Sequence, residues 1–473
     1  SIMNLINKIS SLHLINLTLS LFPLTFILGN TAINLNFLIF ITLGSIYILR
    51  NRINFKNNTT ILLLGSLFLF IVFSSSFNLI TKYEKDFINV TIDAATYHDD
   101  LVKYFFKSLI FLRFFLFVFI FFILAYNNLL NLKYLLVSLS VLTFVLAIDV
   151  IFQDIFGYDM LGIKPVDPGD NSGFFKGELI AGGYLQRFSL PSIFFLGYFL
   201  NKKKYSPLFL VVGIVLIGGA IIVAGNRMPL PLYLLGLFLF FAISKNYKKE
   251  IILGITILAV IFSVLFKYDE TQTRVRYESF YGAIKRLYNY AAFQTNKTII
   301  EKTNKDLKIP LTQSSRNEQL DKIFYMKGSG HLELFRAAFY TFKKNYLFGH
   351  GMKNFHNECR QLQLEYKKKG APIDCNSHPH NFFFEVLTSL GIIGVFIYSF
   401  LVLNIFYIFL TKSFKKLNKF DDLNFLVFNS SIITLLIEFF PIRSSGSIFS
   451  TSNASYVFLF MALMIGTMRQ KKL

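Results

Sequence analysis

Residues 376–394 read Asn376-Ser377-His378-Pro379-His380-Asn381-Phe382-Phe383-Phe384-Glu385-Val386-Leu387-Thr388-Ser389-Leu390-Gly391-Ile392-Ile393-Gly394. A polar loop carrying two titratable rings runs here straight into an apolar stretch that continues to about residue 410. Apolar runs of about 17–25 residues are the length that crosses a bilayer as a helix. This run is the tenth of twelve, near 12–29, 32–49, 60–80, 104–126, 133–153, 184–200, 207–224, 229–243, 251–267, 382–410, 425–441 and 453–468. The expected fold is therefore all-α, a polytopic membrane protein of about twelve transmembrane helices with a large outer loop between helices 9 and 10. Composition agrees: only 16% of residues are charged, against about 25% in soluble domains. The first run has no small-residue cleavage site and is followed at once by another, so it reads as a permanent helix and not as a signal peptide. Trp is absent, so any aromatic belt at the membrane interfaces must be Tyr.

A formal charge of +21 invites a nucleic-acid reading. Its distribution argues for membrane topology instead, with no nucleic-acid partner. With the N-terminus in the cytoplasm, the inner segments carry 18 Lys and Arg, including Lys202, Lys203, Lys204, Lys415, Lys416, Arg469, Lys471 and Lys472, and the short outer loops carry 7. This is a positive-inside pattern, and the excess charge faces anionic lipid heads. The expected organisation is helices 1–9 over residues 1–267, a periplasmic loop with amphipathic helices over 268–380, and helices 10–12 over 381–473. Both termini are then cytoplasmic. The outer side also receives an acidic loop near 81–103, a Gly- and Asp-rich loop near 154–183, and the turn Gly225-Asn226-Arg227-Met228-Pro229. Within the large loop, residues 331–345 place Leu332, Phe335, Phe339 and Phe342 on one helical stripe, which predicts an amphipathic helix on the membrane. Residues 274–293 suggest another. Cys359 and Cys375 both fall in this loop. In an oxidising compartment a bridge between them would close the approach to the histidines and contribute roughly 3 kcal/mol. Zinc held by Cys375 with the histidines is disfavoured by poor ligand spacing, so no metal is expected.

Imidazole titrates near neutral pH, so His380 can take a proton from an attacking hydroxyl. Asn381 after it is a good helix N-cap, which puts His380 at the outer mouth of helix 10. Pro379 stiffens the segment that carries both rings, and His378 is a second binding candidate. Arg187 lies about one turn inside helix 6, where a charge is costly and is read as functional by default. Glu178, nine residues earlier, is its expected partner. Arg227 is the only charge in its turn, and a guanidinium fork suits phosphate. Glu385 and Glu438 are carboxylates within helices 10 and 11 with no assigned role.

The spacing His380-Asn381-x9-Gly391-x-x-Gly394 resembles the signature of the bacterial O-antigen ligase family, which it shares with O-antigen and capsule polymerases. The turn Asn226-Arg227 is similar to the family's small-polar-Arg turn. The run Gly177-Glu178-Leu179-Ile180-Ala181-Gly182-Gly183-Tyr184-Leu185-Gln186-Arg187 resembles one branch of the family. Gly330-His331-Leu332 stands where many members have Gly-Thr-Arg. His331 departs from that pattern, so a protonated His331, or Arg336 five residues on, would have to replace the phosphate-binding Arg. The resemblance implies a GT-C-like membrane glycosyltransferase of the bacterial inner membrane. It implies an undecaprenyl-diphosphate-linked glycan as donor, lipid A core or a growing glycan as acceptor, and no cofactor. His380 would be the base, while Arg227 with Arg187 or His331 would stabilise the departing diphosphate. A transporter of lipid-linked saccharide is the competing class. Twelve helices would suit it, but the large outer loop, the histidine pair and the lack of internal repeats do not.

Overall fold

The computed structural model describes residues 2–55, 57–83, 94–200, 206–244, 247–268, 274–275, 277–278, 281–282, 330–368, 375–414, 423–441 and 443–468. Among these the ordered elements are helices: α1 (Ile2–Leu28), α2 (Asn30–Asn51), α3 (Thr59–Tyr83), α4 (Ala94–Tyr126), α5 (Leu132–Phe156), α6 (Ala181–Leu200), α7 (Ser206–Val223), α8 (Pro229–Ile243), α9 (Lys248–Tyr268), α10 (Gly330–Lys344), α11 (Phe355–Lys368), α12 (Phe382–Ile408), α13 (Leu423–Glu438) and α14 (Thr451–Thr467). A π-helical turn, Phe409–Ser413, extends α12. Every one of the twelve apolar runs is helical. Among the described residues seven helices, α1 to α5, α9 and α12, are long and apolar enough to cross a membrane, while α7, α8, α13 and α14 are shorter. Length and composition thus support seven spans, fewer than the expected twelve. The second amphipathic helix expected over 274–293 falls largely outside the described residues. So do the acidic side chains Glu84, Asp86 and Asp93 and several inner lysines, Lys202, Lys203, Lys204, Lys415 and Lys416 among them.

Two helices form the centre. α14 is buried along nearly its whole length, and α6 almost as fully. A helix apolar on all sides belongs in an interior. α14 packs against α4 and α13, and α6 against α5, α7, α8 and α13. Elsewhere Phe does the packing: Phe22, Phe37 and Phe117 join α1, α2 and α4 edge to face, with ring centroids 4.6 to 5.2 Å apart, a geometry favoured by the ring quadrupole.

The Gly-rich loop of residues 157–180 is tied down by α5. Asp149 accepts from Met160 N (2.7 Å), and the Gln153 side chain meets both Ile163 O and Gly173 N. Asn226 then donates to Leu179 O (2.7 Å) and packs on Gly182, so the α7–α8 turn sits at the N-terminal end of α6.

α12 is broken at Gly391, whose φ of 66° and ψ of −165° interrupt the helix. Such a conformation is essentially reserved for glycine. The break frees backbone groups that must find partners. Residues 346–351 supply them: His350 N donates to Thr388 O (2.9 Å), Gly351 N to Ser389 O (2.9 Å), and Ile392 N donates to Tyr346 O (2.8 Å). Gly349 and Gly391 meet face to face, and a Cβ on either would strike the other segment's backbone. Gly349-x-Gly351 is therefore a packing turn. α10 forms where the sequence predicts a helix, but its buried stripe is Leu334, Ala337, Ala338 and Thr341, while Phe339 is exposed. Small residues face inward because α10 lies close against α12 and α11. Phe335 stacks on Phe384 at 4.8 Å.

Gly391→Ala forces an L-residue into this backbone, a strain of about 1–3 kcal/mol before the collision with residue 347 is counted. A clearly lowered Tm in detergent is expected, and an unchanged melting curve would refute the account.

Candidate functional site

The N-terminus of α12 is zipped to the loop joining α13 and α14. Asn381 caps α12, accepting from Phe384 N (3.2 Å), as its type and position predict. Its amide nitrogen donates to Pro441 O (2.8 Å) and Arg443 O (3.0 Å). Ser445 N donates to His380 O (2.9 Å). Four residues beyond the cap, buried Glu385 accepts from Ser447 Oγ (2.5 Å) and Ile448 N (2.7 Å). Its role is to hold this loop, and it pairs with no Arg among the described residues.

His380 stands on left-handed backbone, φ 56°, unusual for a residue with a Cβ. Its Nε2 is 3.1 Å from Asn376 Nδ2. An amide nitrogen only donates, so Nε2 is the acceptor and carries the lone pair. His378 lies beside it, with ring centroids 4.2 Å apart. Its Nδ1 meets Ser377 Oγ (2.9 Å), and its buried Nε2 has no well-formed hydrogen bond among the described residues. Burial, and then the neighbouring His380, push His378 down to about 4, with the Ser445 backbone opposing. Cys359 of α11 and Cys375 are bridged, with Cα atoms 5.8 Å apart, which fastens the chain immediately before Asn376.

A second cluster lies deeper. Glu438, at the end of α13, is buried between two arginines. Arg187 binds it through two nitrogens, Nε to Oε1 (2.9 Å) and Nη2 to Oε2 (3.2 Å). Arg443 Nη1 reaches Oε2 at 2.5 Å. Arg187 also donates to Asn453 Oδ1 (2.9 Å) and lies 4.4 Å over the Tyr456 ring. The partner expected from sequence, Glu178, is exposed and makes no side-chain contact with Arg187. The Arg187 side chain is buried among α6, α13 and α14, and a carboxylate in that interior outcompetes one in a solvated loop. The cluster holds two guanidiniums against one carboxylate.

The N-terminal ends of α12 and α14 and the C-terminal end of α13 meet near these groups, so helix dipoles of both signs act there. Arg227, exposed in the α7–α8 turn, reaches the N-terminal end of α6 through Asn226, but makes no hydrogen bond or ion pair with Arg187 or His380 among the described residues. Arg336 is exposed, 5.6 Å over the Tyr340 ring. The His331 side chain lies outside the described residues. His350, between Gly349 and Gly351, is structural: it joins Lys82 and Glu358, and its Nε2 meets Thr341 O (2.8 Å). Burial alone would raise Glu358, but His350 and Lys82 hold it well below the usual carboxylate range.

Sequence reasoning missed Asn376, Ser445 and Lys353, and it noted Arg443 only as a neighbour. Lys353 is half-buried at φ 63°. Burial lowers its ammonium, Lys107 adds to that, Glu385 opposes and Arg113 adds again. Nothing in local sequence signals it, whereas Asn376 could have been found as a polar side chain one turn of chain before His380.

Residues 212–399 match the family model described as O-antigen ligase. The matched span runs from α7 into α12 and includes Arg227, both histidines of the loop, Gly391 and Gly394. No curated protein matches the chain.

The ion cluster and the buried ring can each be tested. Glu438→Gln strands two buried guanidiniums, so it should destabilise the protein by about 3–5 kcal/mol, seen as loss of a cooperative melting transition; wild-type stability would refute the ion cluster. His378 is neutral in the folded protein, while an unfolded histidine protonates near pH ~6.5. The unfolded state therefore binds more protons between about pH 6.5 and 4. The contribution of this group to stability is full above that window and falls as pH drops through it. In histidine-labelled protein the His378 ring resonance should stay flat from about pH 8 to 5, and a midpoint near ~6.5 would refute its burial.

Proposed function

We propose that this chain, whose residues 212–399 match an O-antigen ligase domain, is a membrane glycosyltransferase working on a lipid-linked glycan at the periplasmic face of the bacterial inner membrane. The observation that carries the reading is His380: a nitrogen at the mouth of an apolar helix whose lone pair accepts from the Asn376 amide, set beside a buried cluster with more arginine than carboxylate. A base next to fixed cations suits a reaction in which a hydroxyl loses a proton and an anionic group departs.

In the proposed step the acceptor hydroxyl displaces the Asn376 amide and gives its proton to His380 Nε2. The oxygen forms a bond to the anomeric carbon of the donor. The bond from that carbon to the diphosphate oxygen breaks, and its electron pair leaves with the diphosphate. Attack opposite the departing group inverts the anomeric centre. Arg227 and the Arg187 cluster are the cations proposed to meet the charge that develops. His331 and Arg336, on the first turns of α10, remain candidates for the same task, and the outer segment offers no Asp-x-Asp pair for a metal–nucleotide site. The acceptor, lipid A core for a ligase or the growing glycan for a polymerase, separates two reactions that share this chemistry.

The test is transfer by purified protein from an undecaprenyl-diphosphate oligosaccharide, with and without lipid A core, in EDTA. Product on the core means ligase, and a ladder on the carrier means polymerase. His380→Ala should lose about 10²–10⁴-fold in rate with an unchanged melting temperature. Asn376→Ala should lose less, because it orients the ring without accepting the proton. Near-normal turnover by His380→Ala would end the assignment, and intact donor crossing the bilayer without product would favour a transporter.

A further inference from the structure

The C-terminal half of α10 plays no part in the proposed chemistry. α10 descends along α12 from its outer mouth: Phe335 stacks on Phe384 at 4.8 Å, and eleven residues later Tyr346 O accepts from Ile392 N at 2.8 Å. The helical turn runs on past Lys344, with Gly349 N donating to Asn345 O (3.0 Å). The chain then climbs back, since His350 N reaches Thr388 O and Gly351 N reaches Ser389 O. Ile392 lies ten residues beyond Phe382, about 15 Å at 1.5 Å per residue, on a helix long and apolar enough to span a bilayer. The tip, Tyr346-Leu347, therefore enters the outer half of a bilayer whose hydrocarbon is about 30 Å thick. Irregular backbone at such depth must be satisfied by protein, and the break at Gly391 does this. The side chains of the tip are nevertheless turned outward: Tyr346 is 57% exposed and Leu347 41%. Phe348 beside them packs on Phe73 and Phe77 of α3 at 5.6 and 4.8 Å, and Phe73 is itself exposed.

One turn before the tip stand Lys343 and Lys344, both exposed. A helical side chain leans toward the N-terminus of its helix, which here points out of the bilayer. Lys343 does so: its Nζ lies back over the Phe339 ring, 4.7 Å from the centroid, and 5.7 Å from that of Tyr340. A lysine whose stem runs along aromatic rings toward the surface is snorkelling to the headgroup level. No carboxylate pairs with Lys343 among the described residues, and the described side chains of α10 include three cations and no carboxylate. Cations at the headgroup level, above exposed apolar side chains, fit an anionic amphiphile. We propose that Lys343 and Lys344, with Tyr346, Leu347 and Phe73, form a site for an anionic phospholipid of the outer leaflet, its phosphate on the ammonium groups and its acyl chains beside the re-entrant tip. Such a site depends on the membrane-spanning fold and not on the transfer reaction. It holds the lipid against the segment that fills the Gly391 break, so binding stabilises the helix that carries His380 at its mouth.

The chain has no Trp, so Leu347→Trp gives a sole indole reporter at the tip of the full protein in nanodiscs. Phosphatidylglycerol with brominated acyl chains, diluted into phosphatidylcholine, should quench it at a mole fraction at least about fivefold lower than brominated phosphatidylcholine requires. Aqueous iodide should quench it little. Lys343→Gln, a change on an exposed face, should raise the mole fraction of brominated phosphatidylglycerol needed by about fivefold, the weight of one lysine at a charged surface. A ligand that binds the folded state stabilises it, so phosphatidylglycerol should also raise the melting temperature, and by less in Lys343→Gln. Quenching by iodide and not by bromine would lift the tip out of the bilayer. Quenching by neither would mean that protein, such as a second copy of this chain, covers it. Equal quenching by the two brominated lipids, no effect of Lys343→Gln, or a melting temperature indifferent to phosphatidylglycerol would remove the anion site. Each of these outcomes overturns the proposal. Tyr346→Trp, at the more exposed position of the tip, repeats the measurement if Leu347→Trp does not fold.

Discussion

One buried carboxylate, Glu438, ties together α6, α13 and the loop leading into α14. Removing a carboxylate and a guanidinium from water costs several kcal/mol for each ion, and only close, well-hydrogen-bonded pairing offsets it. Glu438 meets this requirement with Arg187 alone, through two nitrogens. Arg443 is then an additional cation in the same low-dielectric space. A stability argument gives no reason for the second guanidinium, since a buried ion is expensive and a neutral residue would pack as well. The arrangement makes sense if the charge is completed by something else.

The second constraint is mechanical. α12 carries the proposed base at its mouth, and its position is fixed from three sides. Its break at Gly391 is filled by the backbone of residues 346–351. Its cap and Glu385 grip the α13–α14 loop. The Cys359–Cys375 bridge anchors the segment leading into Asn376. The first attachment is backbone to backbone, the second runs from the Asn381 and Glu385 side chains, and the third is covalent. A histidine on left-handed backbone would relax to an ordinary conformation in a free loop, and here the hydrogen bond from Ser445 N to its carbonyl helps hold it. Positional accuracy of this kind is what base catalysis requires.

The sequence made the local features legible and the long-range ones not. Twelve apolar runs became twelve helices because hydrophobic run length reports directly on helix formation in an apolar environment. Asn381 was readable as a cap because capping is decided within about four residues. Arg187 was readable as unusual, since a charge inside an apolar run is conspicuous, but its partner was not. Glu438 is 251 positions away, and although it stands inside an apolar run, nothing in the sequence pairs that run with helix 6. Glu385 failed for the same reason, because its partners are a hydroxyl and a backbone N–H on another helix connection. The stripe on α10 was misassigned because large apolar residues mark a face that could be buried, whereas the close approach of α12 selects the small ones.

The histidine pair shows how burial could divide one chemistry between two like groups. Two imidazoles 4.2 Å apart cannot both be charged without strong repulsion. If both titrated in the same range, a proton on His378 would oppose the arrival of one on His380, and the base would be weakest in the acid conditions where protons are plentiful. Burial, and then the neighbouring His380, push His378 down to about 4, so His378 is neutral at neutral pH. The neutral ring then lies tilted at 41° to His380 without competing for its proton. Asn376 covers the lone pair from the other direction with a donor that an acceptor hydroxyl can replace. The hydrogen bond from Ser445 N to His380 O joins this pair to the loop bearing Arg443 and Ser445.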